Sequence, residues 1–350
     1  MRGRRRATLR VGLVGCGEIA SYAHLRILRH LSGAALVAVA DPAPDARERA
    51  RRLARVPVHG RTEELLSRDD VDAVVICAPT PHHAELAIAA AAAGKHFYLE
   101  KPIATSAEDG RRVVEAGAAT DLATAIGFNR RFHPLYQAAR EIVRAGRIGR
   151  VRAVTTAFCE PRPADAMPGW MRRRATGGGV LLDLASHHLD SLRWFLDDEF
   201  GDVAASFSSE ETEDDAARLS LSTRGGVDCQ GFFSFRAGLV DFLELIGDRG
   251  TLRLDRFRPT LELRTRRARR YGVGGSWIPP RPALASWRLQ RPFRRVREVS
   301  FRRSLAAFVA QARGGPRRGA SLEDGLRCLE AVLEAEASGP AHRDLLLASG

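Results

Sequence analysis

The sequence predicts an α/β chain of two domains: a doubly wound parallel sheet over 1–128, and an α+β domain with an open, mostly antiparallel sheet over 129–350. Three observations carry this. Short, wholly apolar runs alternate with helical stretches up to Phe128, as parallel strands covered on both faces require. The glycine pattern Gly15-x-Gly17-x-x-Ala20 follows the first of those runs. Beyond residue 200, five alternating runs are separated by turn residues, with no helix between them. At 350 residues the chain is long enough for two cores.

In order, Val11-Gly12-Leu13-Val14 reads as a buried strand that enters Gly15-Cys16-Gly17-Glu18-Ile19-Ala20 and then a helix to about Leu31. In that strand–turn–helix setting Gly15 permits the tight turn, Gly17 lets a pyrophosphate approach the backbone, and Ala20 lets helix and strand pack closely. Free N–H groups at the helix start attract the anion. The second strand, Leu36 to Ala40, ends in Asp41, 21 residues beyond Ala20, where a carboxylate receives the ribose hydroxyls of a dinucleotide. This favours NAD, with NADP left open by Arg47 and Arg49 one to two helical turns on. Helical Ala46 to Leu53, a short strand near Val56 and helical Glu63 to Leu66 follow, and then Ala73 to Ala78, a strand without a polar residue, stops at Pro79-Thr80-Pro81. His82 and His83 open the next helix, Glu85 to Ala93; a solvated helix start outweighs a cofactor-edge contact there, but His83 is kept among the candidate contacts.

The next strand, His96 to Leu99, runs into Glu100-Lys101-Pro102. Lys95 and Lys101 are the only lysines among 55 basic residues. A lysine retained in so arginine-rich a chain suits work a guanidinium cannot do, because an ammonium can shed its proton when burial depresses its pKa of about 10.4. Pro102 restricts Lys101 to extended backbone, so the side chain is aimed. Helix 106–119 and a last strand, Ala123 to Phe128, complete the domain. Gly15, Asp41, Pro79, Thr80, Glu100, Lys101 and Asn129 all fall at carboxyl ends of strands, where such sheets bind ligands.

The second domain begins with helix 135–144 and the half-buried strand Val151 to Phe158. Residues 159–176, with three prolines and Trp170-Met171-Arg172, form a long loop that suits a substrate lid. Gly177-Gly178-Gly179 then clears space at the start of a helix. At 100° per residue, Leu181, Ala185, His188, Leu192 and Phe195 make its core stripe, while Asp183, His187, Asp190 and Trp194 lie on another face. Asp183 and His187 thus stand one turn apart, a carboxylate beside a side chain able to move a proton near neutrality. Runs at 203–209, 217–224, 227–235, 239–247 and 251–255 read as a meander whose open face or edge suits oligomerisation. The arginine-dense span 256–299 reads as irregular, and helices 303–312 and 321–336 close the chain.

A net charge of +13 raises nucleic acid as a partner, but the arginines are dispersed, few aromatics interleave with them, and no recognition motif accompanies them. Five cysteines lie far apart without a C-x-x-C pair, which argues for a reducing compartment and against structural zinc. Arg4-Arg5-Arg6 lacks the apolar region and cleavage site of an export signal, and no run reaches membrane-spanning length. The expectation is a cytoplasmic protein with no metal, membrane or nucleic-acid partner.

Taken together, Gly15-x-Gly17-x-x-Ala20, Glu100-Lys101-Pro102, Gly-Phe-Asn-Arg-Arg-Phe at 127–132 and Gly-Gly-Gly-x-Leu-x-Asp-x-x-x-His at 177–187 resemble the glucose–fructose oxidoreductase/inositol dehydrogenase (Gfo/Idh/MocA) family from about residue 9 to 337. The resemblance implies a Rossmann domain joined to a substrate domain, and NAD(P)-dependent hydride exchange with a hydroxyl or ketone of a sugar or inositol. It implies Lys101 between nicotinamide and reacting oxygen, His187 as acid/base and Asp183 as its assistant. Arg131, Trp170 and Arg172 remain candidates to hold a phosphate, a nucleotide-sugar or hydroxyls. A homodimer or homotetramer through the second sheet is expected. A redox glycosidase and a non-catalytic sugar or cofactor sensor are the competing functions.

Overall fold

The computed structural model describes residues 8–265 and 299–339. Most of the arginine-dense span, 266–298, lies outside the described residues. The described residues form two compact units, one joining 8–132 with 299–326, the other joining 133–265 with 327–339.

The first unit is built on a six-stranded parallel sheet: β1 (Leu9–Val14), β2 (Ala34–Ala40), β3 (Val58–His59), β4 (Ala73–Ile76), β5 (His96–Leu99) and β6 (Thr124–Ile126), in the order β3-β2-β1-β4-β5-β6. The order reverses direction between β1 and β4, opening a crevice at their carboxyl ends. All four β4 residues are buried, the outcome of a strand without polar side chains. The late helix Val299–Ala312 belongs to this unit rather than to the second domain, because Leu305, Phe308 and Val309 join the core formed by β1, β2 and the first helix. The contacts divide the chain at 132/133, whereas the sequence suggested 128/129.

The second unit carries a seven-stranded sheet of β7 (Val151–Cys159), β8 (Phe200–Ser208), β9 (Ala216–Thr223), β10 (Asp228–Ser234), β11 (Val240–Gly247), β12 (Gly250–Asp255) and β13 (Thr260–Thr265). It is not the plain meander expected. The order is β13-β12-β11-β7-β10-β9-β8, so β7 is inserted between β10 and β11, parallel to the first and antiparallel to the second. β7 is buried along its second half, which suits it to the centre of a sheet, whereas the equally long β8 alternates buried and exposed residues at the edge. β13 is a further correction, since Thr260–Thr265 falls in the span read as irregular. Leu261 and Leu263 alternate with polar neighbours there, and β12 pairs with the strand through all six residues.

Candidate active site

The glycine turn behaves as its spacing requires. Gly15 has φ +85°, and a Cβ there would lie 2.4 Å from the Ala78 backbone nitrogen. A Cβ on Gly17 would meet nothing within 4 Å, so open space lies before that backbone. Asp41, at the end of β2, accepts hydrogen bonds from the Cys16 N–H (2.7 Å) and the Ala43 N–H (2.8 Å). A positive-φ turn, a cleared backbone approach and a carboxylate tied to the turn fit an NAD pyrophosphate and ribose. Glu18 is exposed, Ile19 half-buried and Ala20 buried. The helix after the turn opens with a π-helical turn, Ala20–His24, before the α-helical Leu25–Leu28. Such turns widen the backbone and occur often at functional sites.

At the end of β5 the half-buried Lys101 follows the buried Glu100. The Glu100 carboxylate faces inward: His24 Nε2 lies 2.6 Å from Oε1, and the Lys101 N–H donates to Oε2 at 3.2 Å. His83 departs from the solvated helix start expected of it. Its side chain is buried between two carbonyl oxygens, with Nδ1 2.7 Å from Pro102 O and Nε2 2.8 Å from Ala78 O. Burial holds its pKa below the usual histidine value. Asn129 donates through Nδ2 to Ser300 Oγ (2.7 Å), and Arg131 pairs with Asp324 at 3.1 Å. Glu100, His83, Asn129 and Arg131 therefore all have partners inside their own unit, whereas Pro79 is half-buried beside the buried Thr80.

In the second unit the helix after the three glycines also opens with a π-helical turn, Leu181–Ala185, continued by Ser186–Leu196. Leu181, Ala185, His188, Leu192 and Phe195 are buried, as the core stripe required. Asp183 and His187 are only partly buried. Asp190, read onto their face, is instead 1% exposed, and Trp194 lies under the Arg140 guanidinium at 4.3 Å. The Asp183 carboxylate accepts from Arg162 Nη1 at 2.6 Å, and the same guanidinium binds Glu160 at 2.9 Å. The His187 ring lies 6.4 Å from the Phe158 ring. His188 has a different environment: Asp241 lies 3.0 Å from Nε2, the Thr156 hydroxyl lies at Nδ1, and the ring stacks on Phe158 at 5.6 Å.

The loop read as a lid is tied down within its unit. It holds three 3₁₀ turns, Ala164–Ala166, Gly169–Arg172 and Arg174–Thr176. Arg174 bonds to Glu336 at 2.5 Å and its N–H donates to Glu213. Arg172 points its guanidinium at the loop's own carbonyls, Met167 O and Asp165 O, and Trp170 is half-buried with its carbonyl accepting from Thr176. The glycines pack against this loop rather than clearing space: a Cβ on Gly178 would lie 2.2 Å from Met171 O.

Residues 9–128 match the model of an oxidoreductase family with an NAD-binding Rossmann fold, and residues 136–253 match the Gfo/Idh/MocA C-terminal domain. The chain belongs to the Gfo/Idh/MocA family. An inositol 2-dehydrogenase of Rhizobium meliloti is 30% identical over 353 residues, covering 97% of this chain and all of that one. One from Cereibacter sphaeroides is 35% identical over 71% of this chain and 74% of its own length. The WlbA dehydrogenase of Bordetella pertussis, crystallised with NADH and UDP-GlcNAcA, shares the fold at TM-score 0.83, with 23% identity and 95% coverage of both chains.

For this Gfo/Idh/MocA oxidoreductase, two residues at the site escaped the sequence reading. Arg162 has no motif around it and lies in a Pro-Arg-Pro loop, so nothing marks it as Asp183's partner. His24 sits inside the first helix, and only its i+4 spacing from Ala20 points it at the sheet. Among the described residues no cluster of His, Cys, Asp or Glu could hold a metal ion, and no helix is long and apolar enough to cross a membrane.

Proposed function

We propose that this oxidoreductase oxidises a secondary hydroxyl of an inositol or sugar to a ketone, or runs the reverse, with Lys101, Asp183 and His187 as its working side chains. One observation carries the reading most: Gly15, Asp41, Thr80 and Lys101 lie at the carboxyl ends of β1, β2, β4 and β5, one edge of the parallel sheet where its order reverses. Bound NAD supplies the hydride acceptor there. The residues at the carboxyl edge bind it, through the Gly15–Gly17 turn and the Asp41 carboxylate. Lys101 places a cation at the reacting oxygen and stabilises the alkoxide character that develops as the C–H bond breaks. His187 takes the hydroxyl proton and passes it to solvent, and Asp183 orients the substrate or the ring.

Arg162 holds Asp183 in place, and Trp170 and Arg172 contribute to the substrate side. Arg131, already paired with Asp324, contributes through the fold. NAD is favoured over NADP by Asp41, because Arg47 is turned to the carbonyls of Asp41 (3.1 Å) and Pro42 (2.7 Å) and leaves the carboxylate to repel a 2′-phosphate. Inositol is the leading substrate class, since the relatives aligned over most of the chain are inositol 2-dehydrogenases, and a nucleotide-linked sugar of the kind crystallised with WlbA is second. The enzyme works in the cytoplasm as a homo-oligomer joined through the open sheet, on which Phe232 and Ile246 are exposed.

Following absorbance of NADH across inositols, pentoses, hexoses and their nucleotide-linked forms tests the reading. Turnover with at least one of them is expected, myo-inositol first. NAD binding with no turnover on any would favour a sensor instead, and glycoside cleavage without net NADH would favour a redox glycosidase.

A further inference from the structure

Three stretches that the sequence presents separately meet on one buried carboxylate. His24 closes the π-helical turn after the glycine loop, and its side chain is fully buried. Its Nε2 lies 2.6 Å from Glu100 Oε1, and Glu100 Oε2 accepts the backbone N–H of Lys101. Gly127, from the 127–132 motif, leaves room for this arrangement, since a Cβ there would fall 2.6 Å from Glu100 Oε2. The His24 ring is enclosed by Phe301, edge-on at 5.6 Å, and by Tyr98 at 5.9 Å. Tyr98 is itself held by a hydroxyl contact to Ser304 at 3.1 Å.

His24 Nδ1 is buried without a hydrogen-bond partner among the described residues, which places the ring proton on Nε2, facing the carboxylate. A carboxylate removed from water needs such donors, and one that loses a donor turns elsewhere or pulls its own backbone with it. Its other donor is the amide of the lysine itself. The far side of the same turn is fixed by His83 on Pro102 O. Displacement of Glu100 therefore reaches Lys101 through one peptide group.

We propose that His24 is a positioning residue for Lys101: it holds Glu100, and Glu100 holds the backbone from which the lysine projects. The consequence for turnover rests on the reading that Lys101 acts on the reacting oxygen, whereas the consequence for lysine geometry does not. His24 contributes nothing to dinucleotide contacts on this account, so its loss lowers kcat and leaves NAD retention in place.

With two lysines in the chain, protein labelled with [ε-¹³C]lysine gives two lysine signals, one from Lys101 and one from Lys95. The Lys95 ammonium is held by Arg68 O and Val71 O and serves as an internal control. In His24→Asn a polar amide remains but is too short to reach Glu100. The Lys101 signal is expected to move or broaden with NAD present while Lys95 stays in place. With myo-inositol and NAD, kcat is expected to fall about tenfold, with the Kd for NAD changed less than about threefold, as a small misplacement of a reacting group predicts. His24→Gln, whose amide nitrogen reaches the Nε2 position, should restore both readouts. In a Lys101→Met background the His24 change should cost nothing more.

An unmoved Lys101 signal in folded His24→Asn, or a kcat loss that adds fully to that of Lys101→Met, overturns the positioning role. If Lys101→Met itself turns over like the unaltered enzyme, the catalytic reading of Lys101 fails, and the lysine signal still decides the positioning role. Should His24→Asn not fold, Gly127→Ala displaces Glu100 with His24 intact and must move the same signal.

Discussion

The turn that carries Lys101 and the helix that carries Asp183 and His187 hold their groups in opposite ways. Each stands in a unit with a π-helical turn, Ala20–His24 in one and Leu181–Ala185 in the other. Around Lys101 the holding is done on the backbone: Glu100 takes its N–H, and His83 meets Pro102 O. Around Asp183 it is done side chain to side chain, by a guanidinium from a loop 21 residues away. Backbone clamps constrain where a side chain starts. A side-chain ion pair fixes the end itself. The first arrangement suits a group that must approach a developing charge, the second a group that must keep one orientation.

Substitutions can break that contrast. The largest effect is expected at His187, where His187→Ala should lower kcat by about 10²–10⁴ with NAD affinity nearly unchanged, measured by steady-state kinetics and fluorescence titration. The neighbouring His188→Ala should act on folding instead, because it empties a buried ring position and removes one partner each from Asp241 and Thr156, and a thermal melt should show it. Reversal of the two phenotypes would place the functional face of the helix on the wrong side.

Lys101→Arg keeps the charge and removes the ready proton exchange. A loss of about a hundredfold in kcat with little change in NAD affinity is expected. Activity within a few-fold of the unaltered enzyme would show that charge alone suffices. Arg162→Ala sharpens the other half of the contrast. Releasing the end of Asp183 should lower kcat/KM by about tenfold, and Arg162→Lys should recover part of it, because an ammonium pairs with one carboxylate less rigidly than a fork with two.

The smallest effect concerns stability. Burial depresses the His83 pKa in the folded chain, so the unfolded chain binds a proton near pH 6.5 that the folded chain refuses. The unfolded state therefore gains as pH falls through 6.5, and Tm should decline by a few degrees between pH 7.5 and 5.5. His96, depressed by burial as well, adds to the same slope. His83→Gln should flatten the decline without abolishing it. A slope unaltered by His83→Gln would mean that the ring is not kept neutral by its burial.

How much of this was readable in advance follows from how local each cause is. The parallel sheet and the helix stripe of Leu181, Ala185, His188, Leu192 and Phe195 follow from short-range periodicity, because burial selects apolar side chains at fixed intervals. Gly15 at φ +85° and Asp41 beside the turn follow from a motif whose geometry is confined to a few residues. The insertion of β7 between β10 and β11 was not readable, since strand order depends on pairing between residues 75 positions apart, as Asp228 with Ala153, and local turns say nothing of it. The same holds for the return of Val299–Ala312 to the first core.

The sequence by itself determined which groups are present and which strand ends carry them: the lone pair of lysines, the glycine turn, the Asp183–His187 spacing and the alternation that builds a parallel sheet. Tertiary structure alone decided what each group touches. It turned Glu100 inward onto His24, gave Asp183 to Arg162 and Arg131 to Asp324, and packed Gly178 onto the Met171 carbonyl. The reason is range. Periodicity and turn chemistry act within a few residues, whereas a charged side chain in a folded interior takes whichever counter-charge long-range packing delivers, and no local signal names that partner.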